Sequence, residues 1–139
     1  MEQVVRFNKI IIGNKNMNFG QSITACFSKF STFSGRASRS EFWWFYLFFT
    51  LMSWAASIVG AVTLGIGMEA GATALSTVLQ IIFLVPWLAV ASRRMHDINK
   101  SGWWMLIMFT GIGVFFLIYW WAKQGDNAQN RFGDPVLQG

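Results

Sequence analysis

The chain has 139 residues, enough for one domain, with 54% apolar and only 12% charged positions, about half the charged fraction usual for a soluble domain. Its 8 Trp and 14 Phe are more aromatic surface than a soluble fold of this size can hide, so lipid is the expected solvent. The net charge of +5 sits in short segments beside apolar runs; that pattern fits anionic headgroups and positive-inside topology, and argues against nucleic acid, which needs a hydrophilic basic surface. Cys26 is the lone cysteine, which excludes internal disulfides and Cys-rich metal motifs.

In chain order, residues 1–17 read as a polar extension, with Met17 a second candidate start. No signal core followed by a small-residue cleavage site occurs in the first 40 residues, so no cleavable signal is expected. Residues 18–137 read as a single membrane domain. Over 18–33, Phe19, Ile23, Cys26, Phe27, Phe30 and Phe33 recur close to one helical face, which predicts an amphipathic helix lying in the membrane interface. A helix packed on the rest of the protein from the aqueous side is the competing reading.

The first span is expected over 41–64. Ser38 and Glu41 have the spacing of a capping box, and Trp43, Trp44 and Tyr46 form an aromatic belt. Deeper in, Ser53, Ala56, Ser57 and Gly60 make a small-residue face that lets another helix approach closely. A glycine-rich break follows over 65–71, then a second span over 74–92. Gln80 lies inside that span and is expected to hydrogen-bond to a neighbouring helix; Pro86 is expected to kink it. The third apolar segment, 103–121, carries Trp103 and Trp104 at one end and Tyr119, Trp120 and Trp121 at the other. Their separation, about 27 Å as a helix, favours a complete crossing. Against it stands Thr110-Gly111-Ile112-Gly113, where the segment can kink or return to its starting side. A polar tail, 122–139, completes the chain, with Gly125 expected to end the helix and 130–135 to form a turn.

The first 40 residues hold Arg6, Lys9, Lys15, Lys29, Arg36 and Arg39; the first loop holds no Lys or Arg, and the second holds Arg93, Arg94 and Lys100. The positive-inside rule therefore predicts a cytoplasmic N-terminus and second loop. The fold class expected is an all-α polytopic membrane protein with three transmembrane helices and one interfacial helix.

Three polar motifs surround the spans. They are Phe33-Ser34-Gly35-Arg36-Ala37-Ser38-Arg39-Ser40-Glu41-Phe42-Trp43, then Arg93-Arg94-Met95-His96-Asp97 leading to Ser101-Gly102-Trp103-Trp104, and Gly125 followed by Asn130-Arg131-Phe132-Gly133-Asp134-Pro135. In order and spacing they resemble the YhaH-like small bacterial inner-membrane proteins, domain of unknown function 805, over about residues 18–135. Met95 replaces the usual Leu, and the third apolar segment lacks the usual Pro. The resemblance implies a bacterial inner-membrane location and supplies no activity.

The candidate functional residues are Arg36, Arg39, Glu41, Arg93, Arg94, His96 and Asp97, with Asn130 and Arg131 as a tail contribution. Arg93 and Asp97 have pairing spacing on a helix. Glu41 is also placed to meet Arg93 or Arg94, and Asp97 to meet Arg36 or Arg39. Read structurally, these groups form a clasp and a topology signal. Read functionally, they bind anionic lipid headgroups or a protein partner's acidic segment, because the planar guanidinium takes phosphate and carboxylate bidentately. His96 lacks the companions that catalysis or metal binding requires; Ser101 is the nearest downstream hydroxyl. No catalytic residue, metal ligand or cofactor is assigned, and a non-enzymatic module is expected. The alternative function is a small transporter subunit or oligomeric pore, which requires a homo-oligomer because the cores of the spans offer only hydroxyls and the Gln80 amide.

Overall fold

The structure, a computed structural model, describes residues 17–64 and 67–136. The polar extension before Met17, with Arg6, Lys9 and Lys15, lies outside the described residues.

Helix α1, Phe19–Ser28, starts at Asn18 in a true capping box: the Asn18 side chain accepts from the Gln21 N–H at 2.9 Å while Gln21 Oε1 accepts from the Asn18 N–H at 3.1 Å. It stops five residues short of the expected 33. Ser22 and Cys26 face inward, and Phe19 and Phe27 meet the aromatic start of the next helix, Phe19 edge-on to Trp44 and Phe27 edge-on to Phe45 and Phe48. The helix is thus packed on the hairpin below it, with its outer aromatic surface exposed.

Helix α2, Arg39–Thr63, is capped by the Ser38 hydroxyl, which accepts from the Glu41 N–H at 3.1 Å. The Glu41 carboxylate does not complete the expected capping box; it turns toward Arg93 of the second motif instead. Helix α3, Met68–Asp97, is longer at both ends than the predicted 74–92 and runs through Pro86 without interruption. The two helices form an antiparallel hairpin. The small-residue face does what its spacing predicts: Ala56 and Gly60 are buried, and Gly60 lies so close to Gly71 that a Cβ on either would come within 2.2 Å of the other's carbonyl oxygen. Both helices are long and apolar enough to cross a membrane.

The third apolar segment is not one helix. A 3-10 helix, Gly102–Thr110, is followed by a break at Gly111 and then helix α4, Gly113–Ala122. Gly111 has φ +73°, a backbone state that side chains disfavour. At Gly113 an added Cβ would fall 1.9 Å from the Ile107 carbonyl oxygen, so the returning arm touches the outgoing one. Thr110 fastens the bend, donating to the Ile107 carbonyl at 2.7 Å and accepting from the Gly113 N–H at 3.0 Å. The two arms close as a hairpin: the Trp104 and Trp120 rings meet edge-on at 5.7 Å, with Lys100 Nζ over both at 5.3 and 4.5 Å. The aromatic belts that suggested two membrane surfaces are therefore neighbours. The Thr110–Gly113 turn signal outweighs the segment's length.

The buried apolar cluster lies at the end of the α2–α3 hairpin where the polar motifs meet: Cys26, Ala37, Phe42, Phe45, Val90, Met95 and Trp121 belong to it. Away from that end the helices carry large apolar side chains outward, such as Trp54 at 68%, Ile81 at 67% and Phe109 at 81% exposure. A surface of this kind is sustained by hydrocarbon, not water.

Candidate functional site

Helix α3 ends in a Schellman turn. Asn99 takes the left-handed conformation (φ 56°), the Lys100 N–H returns to the Met95 carbonyl at 3.0 Å, and the Asn99 N–H returns to the His96 carbonyl at 3.0 Å. Asn tolerates that conformation better than most residues. The turn leaves Arg93, Arg94, His96 and Asp97 on the last helical turn, aimed into the space between the α2 start and the tail.

Asp97, fully buried, sits at the centre. Its Oδ1 takes Arg36 Nε and Nη2, both at 2.8 Å, and its Oδ2 takes Arg94 Nη1. Arg36 spends its other donors on main chain: Nη1 on the Ala128 carbonyl at 2.9 Å and the Gly133 carbonyl at 3.4 Å, Nη2 on the Asp97 carbonyl at 3.3 Å and on the Asp126 carbonyl. Arg94 likewise holds the Trp121 carbonyl through Nε at 3.0 Å and the Lys123 carbonyl through Nη2. The planar, five-donor guanidinium makes this possible. The Asp126 N–H returns to the Asp97 carbonyl at 2.8 Å and the Ala37 N–H to the Arg93 carbonyl at 3.0 Å. Two arginines and one aspartate thereby join the first motif, the second motif and the tail.

A second pair flanks the first. Arg93 Nη1 contacts Glu41 Oε1 at 2.6 Å, both side chains buried, and the Cys26 thiol points at the same oxygen at 3.9 Å. Burial first, and the Glu41 charge second, push the Cys26 thiol up to about 12, so it is protonated at physiological pH. Arg93 Nε and Nη2 are buried without a hydrogen-bond partner among the described residues. The predicted helical pair Arg93–Asp97 does not form: Arg93 turns to Glu41, and Arg36 and Arg94 occupy both oxygens of Asp97. The predicted meetings of Glu41 with Arg93 and of Asp97 with Arg36 do occur.

His96 is 9% exposed and held on every side. Its Nδ1 lies 3.0 Å from the Gly35 carbonyl, which makes Nδ1 the donor, and its Nε2 lies 3.5 Å from the Ser92 hydroxyl. The ring stacks flat on Phe132 at 3.9 Å, with the Arg131 guanidinium on that ring at 4.7 Å. The hydroxyl beside His96 is thus Ser92, one turn upstream, rather than Ser101. Its sequence neighbour Asp97 is turned to the arginines. Among the described residues no group of three or more His, Cys, Asp and Glu gathers to hold a metal.

The tail turn is real and attached. Asn130 and Gly133 exchange main-chain hydrogen bonds at 3.1 and 3.0 Å, Asn130 Nδ2 donates to the His96 carbonyl at 3.0 Å, and Arg131 Nη2 donates to the Asn99 carbonyl at 3.3 Å. Three full crossings would have put the tail on the far side of the membrane from the arginines; instead it returns to them, because the third apolar segment doubles back. Every predicted candidate is at this end, with Arg39 half-buried at its edge. Sequence reasoning missed Ser92, Asn99, Phe132 and the tail carbonyls. Asn99 was the one with a readable signal, an Asn at the end of an apolar helix; carbonyl acceptors leave no trace in residue identity.

Two long apolar helices, an outward hydrocarbon-loving surface and a polar knot at one end define an all-helical membrane protein. Family and relatives agree. The chain belongs to the family described as Protein of unknown function (DUF805), which matches residues 30–134, a stretch that contains the whole clasp from Arg36 to Gly133. It is 35% identical over 108 residues to inner membrane protein YhaH of Escherichia coli (strain K12), covering 76% of this chain and 88% of that one. It is 36% identical over 105 residues to inner membrane protein YhaI of the same strain, covering 74% and 85%. No solved structure matches it.

Proposed function

We propose that the chain is a non-enzymatic inner-membrane module whose N-terminus and tail are cytoplasmic, and whose cytoplasmic end binds anionic lipid headgroups. In this reading α2 and α3 cross the bilayer and residues 102–122 form a re-entrant hairpin. The lengths support it. Helices of 25 and 30 residues reach about 37 and 45 Å, beyond the roughly 30 Å of hydrocarbon, whereas arms of 9 and 10 residues reach only about 15–18 Å. The non-helical backbone at the bend keeps its N–H groups paired locally, Gly111 to the Met108 carbonyl, Ile112 to the Thr110 carbonyl and Gly113 to the Thr110 hydroxyl.

The observation that carries the lipid reading is a charge imbalance at one end. Among the described residues all eight Lys and Arg lie in segments at the clasp end, against four carboxylates there; Glu69 lies at the opposite end. Arg36 and Arg94 are buried and committed to internal acceptors, and Arg93 is buried against Glu41, so the three set the field and the shape rather than touch phosphate. Contact falls to the rim, where Lys29, Lys123 and Arg131 are exposed and Arg39 is half-buried. Each such cation near an anionic surface contributes about 1 kcal/mol.

The test is native mass spectrometry of protein extracted in mild detergent. Replacing Lys29, Arg39, Lys123 and Arg131 by Gln should strip retained phosphatidylglycerol and cardiolipin while leaving phosphatidylethanolamine. Retention equal to that of the parent protein rejects the lipid reading and leaves a protein partner as the ligand of this face.

A further inference from the structure

Gln80 departs from its expected behaviour. No hydrogen bond of its amide to any described residue occurs, and the side chain is exposed. It lies on the outer surface of α3, in a cleft of about 230 Å³ otherwise lined by Phe49, Phe83, Leu84 and Trp87. In α3 it stands 13 residues from Arg93 and 12 from Met68, about 20 and 18 Å along the axis. Under the crossing just proposed, that is the middle of the bilayer. At that depth lipid offers only acyl chains, which neither donate nor accept, and an unsatisfied amide is costly.

We propose that a second copy of this chain docks on the Gln80 face, so that the two Gln80 amides pair across a twofold axis. A primary amide carries both donor and acceptor, so it is complementary to itself. An isologous interface brings the same residue of each copy to the axis. Both copies insert with the same orientation, so the axis runs along the membrane normal and the two α3 helices meet side by side at equal depth. Thr73, Thr77 and Leu84 share the Gln80 side of the helix and are all exposed. The apolar cleft beside Gln80 receives the partner's side chains. Interhelical side-chain hydrogen bonds in membranes are individually modest, so two of them together shift dimerisation by roughly tenfold.

The experiment is disulfide trapping in native membranes. In a Cys26→Ser background, Leu84→Cys keeps Gln80 intact and puts a thiol one turn from it. Oxidation should give a homodimer of twice the chain mass. Ile82→Cys, also exposed but on the opposite side of the helix, should give none. Adding Gln80→Leu to Leu84→Cys should sharply lower the dimer yield, and in liposomes it should raise the dissociation constant read by fluorescence energy transfer about tenfold. Because leucine suits hydrocarbon, monomer melting in detergent should not fall, which separates loss of docking from loss of fold. No trapped dimer at Leu84→Cys, a yield indifferent to Gln80→Leu, or an adduct whose mass is that of another protein would each overturn the proposal.

Discussion

Arg36 and Asp97, 61 residues apart in the chain, share a hydrogen bond of 2.8 Å in which neither side chain meets solvent. Arg36 has other acceptors, while Asp97 is the counter-charge of both Arg36 and Arg94. Asp97→Ala therefore strands two buried guanidinium groups, whereas Arg36→Ala leaves Asp97 paired with Arg94. Both should destabilise the protein, Asp97→Ala by the larger amount, on the order of 3–5 kcal/mol. Thermal unfolding in mild detergent ranks them; equal effects would mean that Asp97 is not the hub.

The Glu41–Arg93 pair is separate enough to be tested by exchange. Glu41→Arg and Arg93→Glu each set like charges against one another in a buried site and should unfold or strongly destabilise the chain. The double variant should recover part of that loss, and the coupling should fall in the range of roughly 0.5–3 kcal/mol seen for contacting residues. A double variant no better than the worse single one would show that the pair contributes only as two independent side chains.

Topology gives a direct check on the doubled-back segment. With Cys26 replaced by Ser, a lone cysteine at exposed Gln129 should be shielded from a membrane-impermeant thiol reagent in intact cells and react after lysis. A cysteine at Glu69 should react in intact cells. Labelling at position 129 before lysis would require the segment to cross completely.

The glycine contact at the far end of the hairpin is similarly exposed to test. Gly60→Ala drives a methyl into the Gly71 main chain and should cost about 1–3 kcal/mol through helix separation. Gly20→Ala, whose Cβ would meet only the Asn18 side chain at 3.8 Å, is the control and should be near neutral.

Cys26 carries a pH signature. Its thiol is raised from an ordinary 9.0 to about 12 in the folded protein, chiefly by burial. Between those values the unfolded chain loses a proton that the folded chain keeps, so stability falls as pH rises through that window and is fully retained below it. Cys26→Ala should flatten the decline between pH 9 and 12 relative to the parent, and the native thiol should resist alkylation at pH 7.4 until the protein is denatured. An identical alkaline decline in the variant would place its origin elsewhere.

Much of this arrangement was legible in the residues. Hydropathy and the small-residue face located α2 and α3. Two of the three ion pairs seen among the described residues, Arg36–Asp97 and Arg93–Glu41, were among those the spacing allowed, while Arg94–Asp97 was not foreseen. The errors came where a local rule met a stronger contact. Glu41 has capping-box spacing, but a buried Arg93 outbids the α2 main chain for its carboxylate. Arg93 and Asp97 have helical pairing distance, but each finds a better partner across the fold. Two aromatic belts a membrane apart in sequence became neighbours because Thr110, Gly111 and Gly113 make a tight return. Gln80 was expected to hydrogen-bond to a neighbouring helix, but α2 offers only Phe49 beside it and its amide finds no partner among the described residues.

The clasp grips the tail mostly by its backbone. Arg36 and Arg94 hold the carbonyls of Trp121, Lys123, Asp126, Ala128 and Gly133, and a carbonyl is the same whatever side chain sits beside it. Trp121 is fixed by core packing, Asp126 by its bond from Asn130 and Gly133 by its φ of +129°, but the identity of the residue at Lys123 and at Ala128 is accordingly free to change. The number of residues between the held carbonyls is not, since inserting or deleting one would slide the acceptors past fixed donors. The tail is measured rather than read, and related chains should tolerate substitution between α4 and the terminal turn far better than any change in its length.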